Sequence, residues 1–84
     1  MIVGGKPIMN YVVACLTVFN SGGEEVRLRA RGRHISKAVD AVEMLRRVFV
    51  KEVTVEDISV GTEILTNYSG GESRVSTIDI RLIR

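Results

Sequence analysis

At 84 residues the chain has room for one domain, 1–84, and none for a second core. Hydrophobic residues make up 45% and charged residues 26%, with one Pro and eight Gly, which excludes a disordered or collagen-like chain. The net charge of +2 is bland, and a lone cysteine, Cys15, with no Cys/His cluster around it excludes an internal disulfide and a zinc site. Packing alone must hold such a fold; no metal or cofactor is expected, and the small core makes an oligomer the expected state.

Met1-Ile2-Val3 is short, apolar and β-prone, and Gly4-Gly5 stops it, so it reads as a brief first strand. Lys6-Pro7 then opens a helix, with Pro at the first helical position, where a missing amide costs nothing. Asn20-Ser21-Gly22-Gly23 ends it. The nearly apolar run Ile8 to Phe19 is about 12 residues, short of the ~20 needed to cross a bilayer, and Met1 to Gly5 lacks the basic n-region of a signal peptide. A cytoplasmic protein is expected. Ile8, Val12, Leu16 and Phe19 form one apolar stripe while Met9, Val13 and Cys15 lie off it, so part of this helix is expected to be covered by a second subunit.

From Glu25 to Arg31 the pattern alternates, Val26, Leu28 and Ala30 against Arg27, Arg29 and Arg31: a half-buried strand with a cationic outer face. A second helix follows Gly32, with Ile35, Ala38, Val39, Val42, Leu45 and Phe49 at three- or four-residue intervals, Ser36 as the expected N-cap, and Arg46 and Arg47 in its last turn. Val53 and Val55 begin another strand whose apolar parity shifts at Glu56-Asp57, which predicts a bulge before Ile58, Val60 and Ile64. Asn67 to Ser73 is a polar, glycine-bearing tip, and Ile78, Ile80 and Leu82 mark the last strand. Arms such as Ile58 to Thr66 and Arg74 to Leu82 span about 30 Å each, so this hairpin should project past the helices at its base. The order is β-α-β-α-β-β, in an α/β fold of the α+β sandwich kind.

Arg27, Arg29, Arg31, Arg33 and Lys37 place five of the 12 basic residues within eleven positions, with no acid between Glu25 and Asp40. Strand alternation alone accounts for Arg27 and Arg29. Arg31 and Arg33 flank Gly32 at a helix start with Lys37 one turn on, where free amides and the helix dipole favour an anion; phosphate is the expected ligand. Gly4-Gly5-Lys6-Pro7 repeats the theme at the first helix, without the spacing or the Ser/Thr of a Walker A loop. With Arg74 on the hairpin, these make one extended basic surface. Catalytic readings find no support: Cys15 lies within the apolar helix, His34 has no carboxylate near it in sequence to orient it, and Asp40 and Glu43 read as surface partners of nearby cations. Tyr11 and Tyr68 are the residues able to stack on a nucleic acid.

Gly5-Lys6-Pro7-Ile8-Met9-Asn10-Tyr11-Val12, then Ala30-Arg31-Gly32-Arg33-His34-Ile35-Ser36-Lys37-Ala38-Val39-Asp40, then Ser73-Arg74-Val75-Ser76-Thr77-Ile78 together resemble the Alba family of archaeal chromatin proteins, which bind DNA and RNA. The resemblance covers nearly the whole chain. It implies a fold similar to the C-terminal domain of a translation initiation factor, and a homodimer whose central loops meet the duplex backbone while its hairpins reach flanking minor grooves. It implies nucleic-acid contacts by Lys6, Arg31, Arg33 and Arg74, with Asn10 and Tyr11 beside the lysine, and Phe49 joining dimers side by side along double-stranded DNA. Gly5 stands where many members carry a second lysine, an acetylation target, and the tip Gly70-Gly71-Glu72 is less basic than in some. The expected function is sequence-tolerant coating and compaction of chromosomal DNA, with RNA as a further partner, no membrane and no enzymatic activity. The alternatives are an RNA-directed role resembling the small subunits of ribonuclease P and MRP, and a small-molecule regulatory domain of ferredoxin-like type. The latter usually runs β-α-β-β-α-β.

Overall fold

A computed structural model describes all 84 residues, in an α+β fold of two helices on one face of a three-stranded antiparallel sheet. The elements are α1 (Ile8–Asn20), β1 (Glu25–Arg31), α2 (Ile35–Met44), β2 (Thr54–Thr66) and β3 (Glu72–Ile83), with sheet order β1-β3-β2. No helix is long and apolar enough to cross a membrane.

The expected first strand is reduced to a single parallel bridge, Ile2 beside Arg29, made by Val3 N donating to Arg29 O and Arg29 N to Met1 O, both at 2.8 Å. Three residues before a double glycine are too few for a ladder, yet they bury Val3 and lead the chain to α1. Pro7 is the N-cap of α1 rather than its first residue, because its ψ of 151° is still extended. At the far end Gly22 N donates to Phe19 O and Gly23 N to Val18 O, and Gly22 takes φ +95°, a Schellman stop built on the glycine pair.

β1 shows the expected alternation residue by residue: Val26, Leu28 and Ala30 are buried and the four residues between and beside them are exposed. Their cross-strand partners Leu82, Ile80 and Ile78 on β3 share that inner face. Tyr11, Val12, Cys15 and Phe19 of α1 and Ala38, Ala41, Val42 and Leu45 close over it, and every fully buried residue is apolar or Tyr11. Cys15 therefore belongs to the core face of α1, not beside it. Burial pushes its thiol up to about 11.

Between β1 and α2 the chain makes a 3-10 turn, Gly32–His34, with Gly32 at φ +57°. The helical turn thus starts earlier than Ser36, and His34 rather than Ser36 occupies the N-cap of α2, with no side-chain cap. The other end of α2 widens into a π-helical turn, Leu45–Phe49, closed by Val50 N donating to Leu45 O at 2.8 Å. One extra residue in that turn takes Val48 and Phe49 out of the buried stripe, and both side chains lie exposed.

The bulge falls where the parity shift placed it: Val55 opposes Leu82 and Asp57 opposes Arg81, leaving Glu56 without a partner. Beyond the Arg31–Thr77 pair that ends β1, five residues of each hairpin arm continue alone, about 17 Å at 3.4 Å per residue. This projection gives the molecule its long axis, 46 × 23 × 20 Å. Ile58, Val60 and Ile64 share the helix-side face of the sheet through their pairing with Ile80, Ile78 and Arg74, but lie past the helices and are exposed. α1 does expose Met9, Val13 and Val18; the longer uncovered apolar strip is that of β2, continued by Val39 on α2.

Candidate nucleic-acid interface

The start of α1, the start of α2 and the root of the hairpin meet at one end of the molecule. Lys37 joins the two helices there. Its ammonium donates to Gly4 O at 2.9 Å and to Lys6 O at 2.8 Å, so the loop before α1 is held against the first turn of α2. Tyr11 holds the same loop from inside: its ring is buried and its hydroxyl accepts from Gly4 N at 2.8 Å and Lys6 N at 3.3 Å. The loop's amides and carbonyls are thereby satisfied from opposite sides, leaving Lys6 anchored through its backbone while its side chain has no protein partner. Gly5 is open space: an added Cβ would meet nothing within 4 Å.

The arginines of β1 do not leave a cationic face. Arg27 pairs with Glu25 and Arg29 with Asp79, each at 3.5 Å, and Arg81 donates to the same Glu25 at 2.7 Å. The open side of the sheet is thus largely self-compensated, because Asp79 of β3 sits beside Arg29 and Glu25 at the strand start is shared by Arg27 and Arg81. Arg31, in the loop motif, also has a partner: its Nη1 donates to Glu63 Oε1 on β2 at 2.9 Å, with both side chains about half exposed. Elsewhere Arg46 pairs with Glu43 at 3.0 Å and Arg84 with Glu52 at 3.2 Å.

Five cations remain without an acidic partner or a hydrogen bond: Lys6, Arg33, Arg47, Lys51 and Arg74. Lys6, Arg33 and Arg74 fall at the shared end or on the hairpin that extends it; Lys51 lies beside the start of β2, at the opposite end of the sheet. Both helices begin there without a side-chain cap; the first amide of α2, Ile35 N, already donates to Gly32 O, so the open amides are those at the start of α1. Asn10, in the first turn of α1, is exposed, and its backbone N donates to Pro7 O at 3.0 Å. Tyr68 stands fully exposed at the hairpin tip, where the Asn67 side chain accepts from Gly71 N and Ser69 Oγ. The arrangement suits a polyanion: dispersed monovalent cations, open amides, no cluster of His, Cys, Asp and Glu able to hold a metal, and no charged residue in the core.

The family profile of Alba matches residues 1–62. The chain belongs to the Alba family. It is 55% identical over 80 residues to a DNA/RNA-binding protein Alba of Methanothrix thermoacetophila, covering 95% of this chain and 89% of that protein. To DNA/RNA-binding protein Alba 1 of Archaeoglobus fulgidus it is 50% identical over 82 residues, 98% of this chain and 91% of the relative. The solved structure of Alba from Thermoplasma volcanium superposes with a TM-score of 0.94 at 44% identity, over all of this chain and 98% of the other. The Alba fold therefore extends through the hairpin, beyond the residues the family profile covers.

Two residues of this interface carry roles that local sequence does not reveal. Glu63 is 32 positions from Arg31, and only the sheet register brings them together. Lys37 is read from sequence as a phosphate-binding cation beside Arg31 and Arg33, whereas its ammonium is engaged with two carbonyls 31 and 33 residues away.

Proposed function

We propose that the protein is a dimeric, sequence-tolerant nucleic-acid-binding protein that coats and compacts chromosomal DNA and also binds RNA. The observation that carries this reading is the gathering of Lys6, Arg33 and Arg74, all without protein partners, beside two uncapped helix starts and a projecting hairpin. The naming of its Alba relatives as DNA/RNA-binding proteins supports it. In this reading Lys6, Arg31, Arg33 and Arg74 meet phosphates, Asn10 hydrogen-bonds beside Lys6, and Tyr11 and Lys37 act by holding the Lys6 loop. The cations displace counterions and shape sets the register, so base identity matters little.

A second copy completes the protein along α2 and β2. Val39, Val42, Val55, Ile58 and Ile80 line a groove of about 260 Å³ there. The Arg46 side chain borders it with a buried Nε that has no acceptor, a donor that an adjoining chain can satisfy. Phe49, exposed at the end of the π-helical turn, then joins neighbouring dimers side by side.

The test is direct binding of duplex DNA and structured RNA at matched salt by wild type, Arg33→Ala and Lys51→Ala. The reading expects Arg33→Ala to weaken binding to every duplex sequence alike while Lys51→Ala changes little. Equal losses would mean that overall charge, not this end of the molecule, drives binding.

A further inference from the structure

Of the two guanidiniums flanking Gly32, Arg33 is free and Arg31 is occupied. The occupant is unusual for this sheet. Arg27 and Arg29 are neutralised by acids on their own or the adjacent strand, whereas Arg31 reaches past Thr77 on central β3 to a carboxylate on the outer strand β2. Gly61 makes the reach possible: it is the β2 residue level with Thr77 and Arg31, and an added Cβ there would stand 3.2 Å from Thr77 Oγ1 in the floor of the path.

We propose that Glu63 is a built-in competitor for phosphate at Arg31, a carboxylate that holds the central-loop guanidinium in the unbound protein and is exchanged for a phosphate when nucleic acid binds. The inference deepens the nucleic-acid reading above and rests on it. A carboxylate and a phosphate present similar acceptor oxygens to a guanidinium, so one can substitute for the other without the arginine changing its donor geometry. Both side chains are about half exposed, which makes the exchange a side-chain event and not an unfolding one. Lys6, Arg33 and Arg74 need no such exchange and can make first contact. The pair also ties the hairpin arm to the end of β1, so releasing Glu63 frees the projecting part of the hairpin to follow the nucleic acid. Glu63 is thus an affinity-setting residue acting through Arg31.

The experiment is a double-mutant cycle on duplex binding with Glu63→Gln, Arg31→Gln and the double variant, each first checked for an unchanged melting temperature. An exposed ion pair of this kind is worth about two- to fivefold in an equilibrium constant. Glu63→Gln should therefore tighten binding about two- to fivefold per protomer, and this gain should vanish when Arg31 is already Gln. A gain of equal size in both backgrounds would overturn the inference, because it would show only that one negative charge had left the protein's field. No gain in the wild-type background would overturn it as well. Wild-type protein that leaves duplex DNA and RNA unbound would overturn the nucleic-acid reading and this inference together, whereas a binding wild type with no coupling overturns this inference alone.

Discussion

Replacing Lys37 by methionine keeps most of the apolar stem of the side chain and removes its two charge-assisted hydrogen bonds, to Gly4 O at 2.9 Å and Lys6 O at 2.8 Å. Hydrogen bonds to a charged group contribute about 1.5–3 kcal/mol each, and because one of these is exposed and both carbonyls can turn to water, the pair together should cost about 1.5–3 kcal/mol. For a domain of this size that is a fall in melting temperature of about 6 to 24 °C. Nucleic-acid affinity should fall too, since the Lys6 loop must then be ordered on binding. The number of phosphates met stays the same, so the slope of log K against log salt should hold. A lysine that itself contacts phosphate would behave in the opposite way: stability nearly unchanged and the slope flatter by about 0.9 per lost contact. Thermal denaturation and a salt titration of duplex binding on one variant separate the two. A flattened slope with an unaltered melting temperature would refute the positioning role of Lys37.

Placing a charge in the groove between α2 and β2, as Ile58→Asp, should convert a dimer into a folded monomer by sedimentation, because Ile58 is exposed in the single chain and its charge is costly only against a second copy. Phe49→Ala should leave folding and dimerisation intact and lower the cooperativity of DNA coating; a large drop in melting temperature would instead place Phe49 in the core. Cys15 gives a pH signature. Its thiol, raised from 9.0 to about 11, stays protonated in the fold while the unfolded chain loses its proton. Its contribution is constant below pH 9, then stability falls by up to about 1.4 kcal/mol per pH unit until the folded value is reached. The stability difference between wild type and Cys15→Ala should therefore shrink from pH 9 to 11, and a constant difference would contradict the burial argument.

Most of the fold was legible because it is written in local periodicity. The alternation of Glu25 to Arg31, the parity break at Glu56 and the glycine stop after Asn20 each depend on neighbours within a few residues. What escaped reading depends on partners far away in the chain. Met1 to Val3 has strand composition but too little length for more than one bridge. Ser36 has the chemistry of an N-cap, yet the left-handed Gly32 starts the helical turn sooner. The basic cluster was visible as a cluster, but which of its members are free was not: Asp79 and Glu63 reach Arg29 and Arg31 through sheet register, and Lys37 turns to the backbone of a loop more than thirty residues earlier. Composition points to α1, the more apolar segment, for the uncovered apolar surface, while β2 leaves the longer strip bare because the helices stop short of it.

The central claim is that the end of the molecule bearing Lys6, Arg31, Arg33 and Arg74 binds nucleic acid through phosphates. A dimer presents these four cations twice, and with about four to six meeting phosphates closely the slope of log K against log salt is about −3.6 to −5.4. The deciding measurement is that slope for wild type on duplexes of unrelated sequence, followed by the same titration on Arg33→Ala. The account predicts one common slope in this range for all duplexes, flattened by nearly two units in a symmetric dimer of the variant. A slope near zero, or a wild-type slope that Arg33→Ala leaves intact, would contradict it.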